Sequence, residues 1–212
     1  MTEKLILWGA TTGRAMRAHW VLHEFGLEYQ SIPFGPRTGE TQTAEYLEIN
    51  PKGKVPALQH GDLTLTESVA ILSYITQNFN APSDFFVPND RYQKARSDEL
   101  TAFIAMELDA HPLYTIRRHG DLHKIYGSAP AVVDSAKEYF LKQFHAVVPD
   151  ILKSQPYMMG NIPGTVDILL LTCIDWALNY KIELPSIAMN YQQRLHDRNA
   201  YQTAYNLCYM TN

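Results

Sequence analysis

Apolar and polar positions along the first eighty residues alternate between two periods. Leu5-Ile6-Leu7-Trp8 is an unbroken apolar run closed by Gly9, and it predicts a short buried strand. From Gly13 and Arg14 the period lengthens. Ala18, Val21, Leu22 and Phe25 fall at i, i+3, i+4 and i+7, one face of a helix, and Gly26 follows where a helix end favours glycine. Residues 28–32 predict a second strand, and Pro33, Gly35, Pro36 and Gly39 mark a loop. Residues 43–48 predict a short helix ahead of Asn50-Pro51. Residues 55–59 and 63–66 predict two brief strands joined by a His60-Gly61-Asp62 turn. Residues 67–79 predict a helix with Leu72, Ile75 and Phe79 on its apolar face.

The order is β-α-β-(α)-β-β-α. A parallel β-α-β unit followed by a hairpin and a helix folds into a four-stranded mixed sheet with helices on its faces. Thioredoxin-like domains are similar to this arrangement. Residues 80–90 are rich in Pro, Asn, Asp and Ser. Beyond them every periodic stretch is helical: residues 92–118, broken near Pro112; 129–148; 165–178, apolar nearly all round; 186–196; and 199–207. The predicted organisation is α/β plus all-α. A thioredoxin-like domain spans residues 1–80, a linker 81–90, and an all-helical domain 91–212.

Composition narrows the function classes. The chain has 212 residues, 46% of them hydrophobic and 19% charged, with a net charge of −4. That is a globular composition, and its mild acidity argues against nucleic acid or an anionic membrane as partner. No apolar run approaches the roughly 20 residues of a spanning helix, and Met1-Thr2-Glu3-Lys4 lacks the basic start of a signal peptide. A cytoplasmic location is expected. The two cysteines, Cys173 and Cys208, form no CxxC and no cluster with zinc spacing, so no metal is expected.

The most specific stretch is Asn50-Pro51-Lys52-Gly53-Lys54-Val55-Pro56-Ala57-Leu58, followed by Leu65-Thr66-Glu67-Ser68. Pro56 opens a strand after a loop, a place where a cis peptide bond is common. That geometry turns the Val55 backbone outward, free to pair with an extended peptide. Ser68 lies at a helix N-terminus, which favours an anion. Glu67 beside it can take an ammonium group. Together these features fit a small peptide ligand.

On these residues the chain resembles the cytosolic glutathione transferases, over essentially its full length. Arg194-Leu195-His196-Asp197-Arg198-Asn199-Ala200-Tyr201 is similar to the family's C-terminal pattern, with Asn199 where a proline is usual. The resemblance implies that Val55 pairs through its backbone with the cysteinyl part of glutathione, with Pro56 cis. Glu67 and Ser68 hold the γ-glutamyl end, and Lys54 lies near the glycyl carboxylate. It also implies a hydroxyl at the sulfur just after the first strand. Aligned on Glu24-Phe25-Gly26-Leu27-Glu28-Tyr29, Thr12 falls where serine- or threonine-type members carry it, with Thr11 one residue earlier as the alternative. The tyrosine-type position holds Trp8, and the cysteine-type position falls at Arg14, whose guanidinium would favour a thiolate. The helical domain is expected to hold the electrophile, with Met106, His111, Tyr114 and Arg118 as pocket residues. Asp167 resembles the family's capping aspartate before the buried helix, with Gly164 where Ser or Thr is usual.

The implied function is a homodimeric glutathione transferase, with glutathione as co-substrate and a small electrophile as its partner. Glutathione-dependent reduction of disulfides or peroxides at the same site is the first alternative. A non-catalytic member that binds ligands or proteins is the second.

Overall fold

The computed structural model describes residues 4–210. Strand β1 (Leu5–Trp8) buries Leu5 and Leu7 and leads through a loop into helix α1 (Gly13–Glu24). Strand β2 (Gln30–Ile32) runs parallel to β1. A 3-10 turn (Glu40–Gln42) and helix α2 (Ala44–Ile49) fill the crossover to strands β3 (Ala57–His60) and β4 (Leu63–Thr66), which pair as an antiparallel hairpin. Helix α3 (Ser68–Asn78) follows. The sheet order is β2-β1-β3-β4, the mixed four-stranded sheet that the sequence predicted. Strand β3 begins at Ala57, not at Val55; Pro56 has no N–H to give to a ladder, and the cis Val55–Pro56 peptide lies ahead of it.

The remaining elements are helical. Helix α4 (Arg91–Phe103) starts at Asp90, whose carboxylate accepts the Tyr92 and Gln93 N–H groups at 2.7 and 2.9 Å. The chain then runs as a π-helical stretch (Ile104–Leu113) into α5 (Tyr114–His119). Pro112 explains the wide turn. It lacks an N–H and its ring crowds the carbonyl of residue 108. The Tyr114 N–H accordingly reaches back five residues to the Asp109 carbonyl. A short α6 (His123–Tyr126) was not foreseen. Helix α7 (Pro130–Ser154) passes beyond the predicted end and through Pro149, because its buried face of Phe140, Phe144, Val148 and Leu152 continues unbroken. Helices α8 (Thr165–Asn179), α9 (Ser186–His196) and α10 (Asn199–Tyr209) complete the order.

Asp167, fully buried in the first turn of α8, accepts three hydrogen bonds of 2.8 Å. The donors are the N–H groups of Met158 and Gly164 and the Tyr191 hydroxyl. Burial still pushes its carboxyl up, to about 6. Glycine stands at 164 because a side-chain Cβ there would lie 2.8 Å from the Phe86 carbonyl oxygen. The chain divides into two compact units: residues up to Phe85 together with the segment from His196 onward, and Phe86–Leu195. The C-terminal segment thus groups with the sheet, whereas the sequence assigned it to the helical domain of 91–212. The grouping has a visible cause. Arg198 donates to both Glu24 carboxylate oxygens at 2.7 and 2.6 Å and to Asp84 at 2.9 Å. The Tyr201 ring meets Trp20 edge-on at 5.0 Å.

Candidate functional site

One row of the sheet brings together the strand ends next to which several sequence-predicted residues lie. Trp8 pairs with Ala57, and Ala57 with Thr66. At this end of the row β1 leaves toward Gly9–Thr12, Val55–Pro56 arrives into β3, and β4 leaves toward Glu67–Ser68. Three distant segments therefore meet at one end of the sheet through strand pairing alone.

Each segment is held there by its own local chemistry. Asn50 is fully buried. Its amide donates to the Lys54 carbonyl at 2.7 Å and its Oδ1 accepts the Lys52 N–H at 3.2 Å. The Tyr46 hydroxyl donates to the same carbonyl at 2.5 Å. Gly53 sits at φ +57, where an added Cβ would meet the Gln42 side chain at 2.6 Å. The loop thus presents Val55 with its backbone outside the β3 ladder, and the Lys54 side chain points to solvent. Gly9, at φ +99, packs against Val55. A Cβ on Gly9 would lie 2.4 Å from that of Val55.

Thr12 is the N-cap of α1, and its hydroxyl oxygen accepts the Ala15 N–H at 3.0 Å. That contact uses a lone pair and leaves the hydroxyl proton available to donate. Thr11 has φ +58, a costly conformation for a β-branched residue, and its hydroxyl lies against Gly35. Arg14 is half-buried in the first turn of α1. Glu67, not Ser68, is the N-cap residue of α3. It has φ +73, and Ser68 opens the helix, nearly buried. Strained backbone of this kind is kept where surrounding structure enforces it.

The sequence reading missed several residues. Lys52 donates to Glu67 at 2.6 Å and to Thr66 at 2.7 Å, fixing the direction of the Glu67 carboxylate. Arg17 is only 2% exposed, with Nη1 3.5 Å from the Ser68 hydroxyl. Its signal was a cation four residues before Val21, inside the apolar face of α1. His19, also buried, faces the Gly9 carbonyl at 3.0 Å. Trp8 donates its indole N–H to Gln59 at 2.8 Å and packs on Tyr46.

The four residues expected to bind an electrophile are dispersed along one segment of the second unit. Met106 is 63% exposed. His111 is exposed and lies against the Tyr139 ring, 4.5 Å between centroids, while the Tyr139 hydroxyl donates to Glu107. Tyr114 is half-buried, and Arg118 covers the Tyr126 ring at 4.5 Å.

Known proteins share this sheet and the helices that follow it. Residues 3–77 match the family model for the glutathione S-transferase N-terminal domain. A maleylacetoacetate isomerase of Pseudomonas aeruginosa is 31% identical over 149 residues, covering 68% of each chain. Human glutathione S-transferase theta-1 is 46% identical over 77 residues, 34% of this chain and 32% of that one. A glutathione transferase homologue of Lodderomyces elongisporus, solved with two glutathione molecules per subunit, superposes with a TM-score of 0.84 at 18% identity. That match covers 97% of this chain and 99% of the other. The chain belongs to the glutathione transferase family. No helix among the described residues is long and apolar enough to cross a membrane.

Proposed function

We propose that this protein activates the thiol of glutathione for attack on small electrophilic compounds, as a threonine-type transferase. The observation that carries the reading is that the segments bearing Thr12, Val55 and Ser68 enter or leave three neighbouring strands at one end of a single row, Trp8–Ala57–Thr66. In this reading the Val55 backbone pairs with the cysteinyl residue. Ser68 and the N-terminus of α3 take the γ-glutamyl carboxylate, and Glu67, oriented by Lys52, takes its ammonium. Lys54 reaches toward the glycyl carboxylate. The free thiol has a pKa of about 8.5, so it is mostly protonated at neutral pH. The Thr12 hydroxyl, its oxygen engaged by the helix cap, donates its proton toward the sulfur. Arg14 adds a coulombic pull toward the thiolate. Met106 and Tyr114 are the residues of the second unit proposed to contact the electrophile. The protein acts as a homodimer in the cytoplasm, without a metal.

A second reading is favoured by one specific relative, the maleylacetoacetate isomerase. The same thiolate would add to a cis double bond, allow rotation about the resulting single bond, and leave, regenerating glutathione. Arg14 suits an anionic substrate of that kind. Titration calorimetry with glutathione tests the part common to both readings. Micromolar to low-millimolar binding is expected, weakened about tenfold in Glu67→Gln, the loss of roughly one charge-assisted contact. Absence of binding at millimolar glutathione would remove both.

A further inference from the structure

His19 is buried, titratable and unused by the activation of the thiol described above. It projects from α1, the helix that Thr12 caps, back toward the loop where β1 ends. Its Nε2 lies 3.0 Å from the Gly9 carbonyl oxygen, and its Nδ1 lies 2.7 Å from the Tyr29 hydroxyl. That hydroxyl also lies 3.1 Å from Nε2 of His23.

With His19 neutral, one arrangement of protons satisfies this chain. A carbonyl oxygen only accepts, so His19 must carry its proton on Nε2. A neutral imidazole then has a lone pair on Nδ1, so Tyr29 donates to it. With its proton committed, the Tyr29 oxygen accepts, so His23 donates from Nε2. Burial holds His19 neutral, lowering its pKa to about 4, and the nearby His23 acts in the same direction. The other titratable group facing Tyr29 is Cys208 on α10, a buried thiol pushed up to about 12 and therefore neutral.

The Gly9 carbonyl is a sensitive point to fix. Gly9 N–H donates to the Ile32 carbonyl at 2.9 Å and Ala10 N–H to the Phe34 carbonyl at 2.8 Å. Both of these donors are thus anchored from outside α1. The Gly9 carbonyl is anchored by α1 itself, through His19. Gly9 also touches Val55, so its peptide plane sets the path that leads from that contact toward Thr12.

We propose that His19, with Tyr29 behind it, is a positioning residue for the glutathione thiol. By holding the Gly9 carbonyl it fixes where the Thr12 hydroxyl stands relative to Val55. This rests on the reading of Thr12 as the donor to the sulfur.

Two substitutions separate the roles of the ring. Gln places an amide N–H near the position of Nε2, so His19→Gln keeps the bond to Gly9 and gives up Tyr29. Asn places its amide near Nδ1, so His19→Asn keeps a partner for Tyr29 and gives up Gly9. The full-length proteins are titrated with glutathione bound, following the ultraviolet thiolate band against pH. His19→Asn is expected to raise the bound-thiol pKa by about one unit, about tenfold less thiolate at neutral pH. His19→Gln is expected to stay within about twofold of the parent. Glutathione affinity should change less than about threefold in both, since Val55, Glu67 and Ser68 remain. A structural role alone would lower both melting temperatures and leave both thiol pKa values unmoved, which overturns the proposal. Equal shifts in the two variants overturn it as well. If His19→Asn does not fold, Tyr29→Phe decides. It frees the tautomer of His19, so a smaller rise in the same direction supports the proposal and no change contradicts it. Thr12→Ala in the same series tells the two failures apart. An unmoved thiol there removes the underlying reading, whereas a moved thiol there with unmoved His19→Asn removes only the role of His19.

Discussion

The loop from Gly9 to Thr12 and the segment from Met106 to Arg118 carry their proposed chemistry in opposite ways. In the loop the Gly9 and Ala10 N–H groups are held by the carbonyls of Ile32 and Phe34, at the end of β2 and just beyond it, and Thr12 itself completes a helix cap. In the helical segment Met106, His111 and Arg118 are exposed on a backbone that is irregular for its own reason, the proline at 112. The first arrangement specifies a geometry, the second a surface. A site that must place a hydroxyl against a sulfur needs the former. A wall that meets varied electrophiles can be built from the latter, because exposed residues change with little effect on stability.

The two units also differ in how buried ionisable groups are managed, and there the largest effects are expected. Asp167→Asn puts an amide N–H against the Gly164 N–H inside the protein, and it should cost about 2–4 kcal/mol in denaturant unfolding. Next comes acidification. His19 has a folded pKa near 4 against an ordinary 6.5, so the unfolded chain binds the proton first. Its contribution is fully present above 6.5 and is lost as pH falls toward 4, a loss of up to about 3 kcal/mol. Asp167 runs the other way, with a folded pKa near 6 against an ordinary 3.8. Its native form gains relative stability as pH falls through that window. Hydrogen exchange should therefore show the amides of α1 losing protection between pH 6.5 and 4 while those of α8 hold. His19→Gln should flatten the α1 response.

Smaller effects sharpen the contrast within the site. Glu67→Gln should weaken glutathione about tenfold yet shift stability by no more than about 0.5 kcal/mol, because its pair with Lys52 is solvent-exposed. Thr12→Ala should cost about 1 kcal/mol through loss of the cap, and Thr12→Ser should restore it. Met106→Ala should leave stability within about 0.5 kcal/mol and glutathione binding unchanged, with its effect confined to KM for the electrophile.

Much of this was legible in the chain, for physical reasons. Strand and helix periods set the order of elements and the mixed four-stranded sheet, and the residues before Ala57 and after Thr66 carried a specific turn chemistry. What escaped was longer in range or lacked a period. The Lys52–Glu67 pair is an exposed contact between loops, invisible to any pattern. The helix at 130–154 crosses Pro149 because four large apolar residues on one face outweigh one lost hydrogen bond. The C-terminal segment groups with the sheet through Arg198, whose partners Glu24 and Asp84 lie more than a hundred residues earlier. Thr11 takes a left-handed conformation that its residue type disfavours, and only the surrounding anchors explain it.

The central claim is that Thr12 lowers the pKa of bound glutathione. The most direct measurement is the thiolate absorbance of the glutathione complex against pH, compared between the parent protein, Thr12→Ser, Thr12→Ala and Thr11→Ala. The account predicts a bound-thiol pKa well below 8.5 in the parent, in Thr12→Ser and in Thr11→Ala, and a rise of at least about one unit in Thr12→Ala. A Thr12→Ala protein that binds glutathione with the parent's thiol pKa would contradict it.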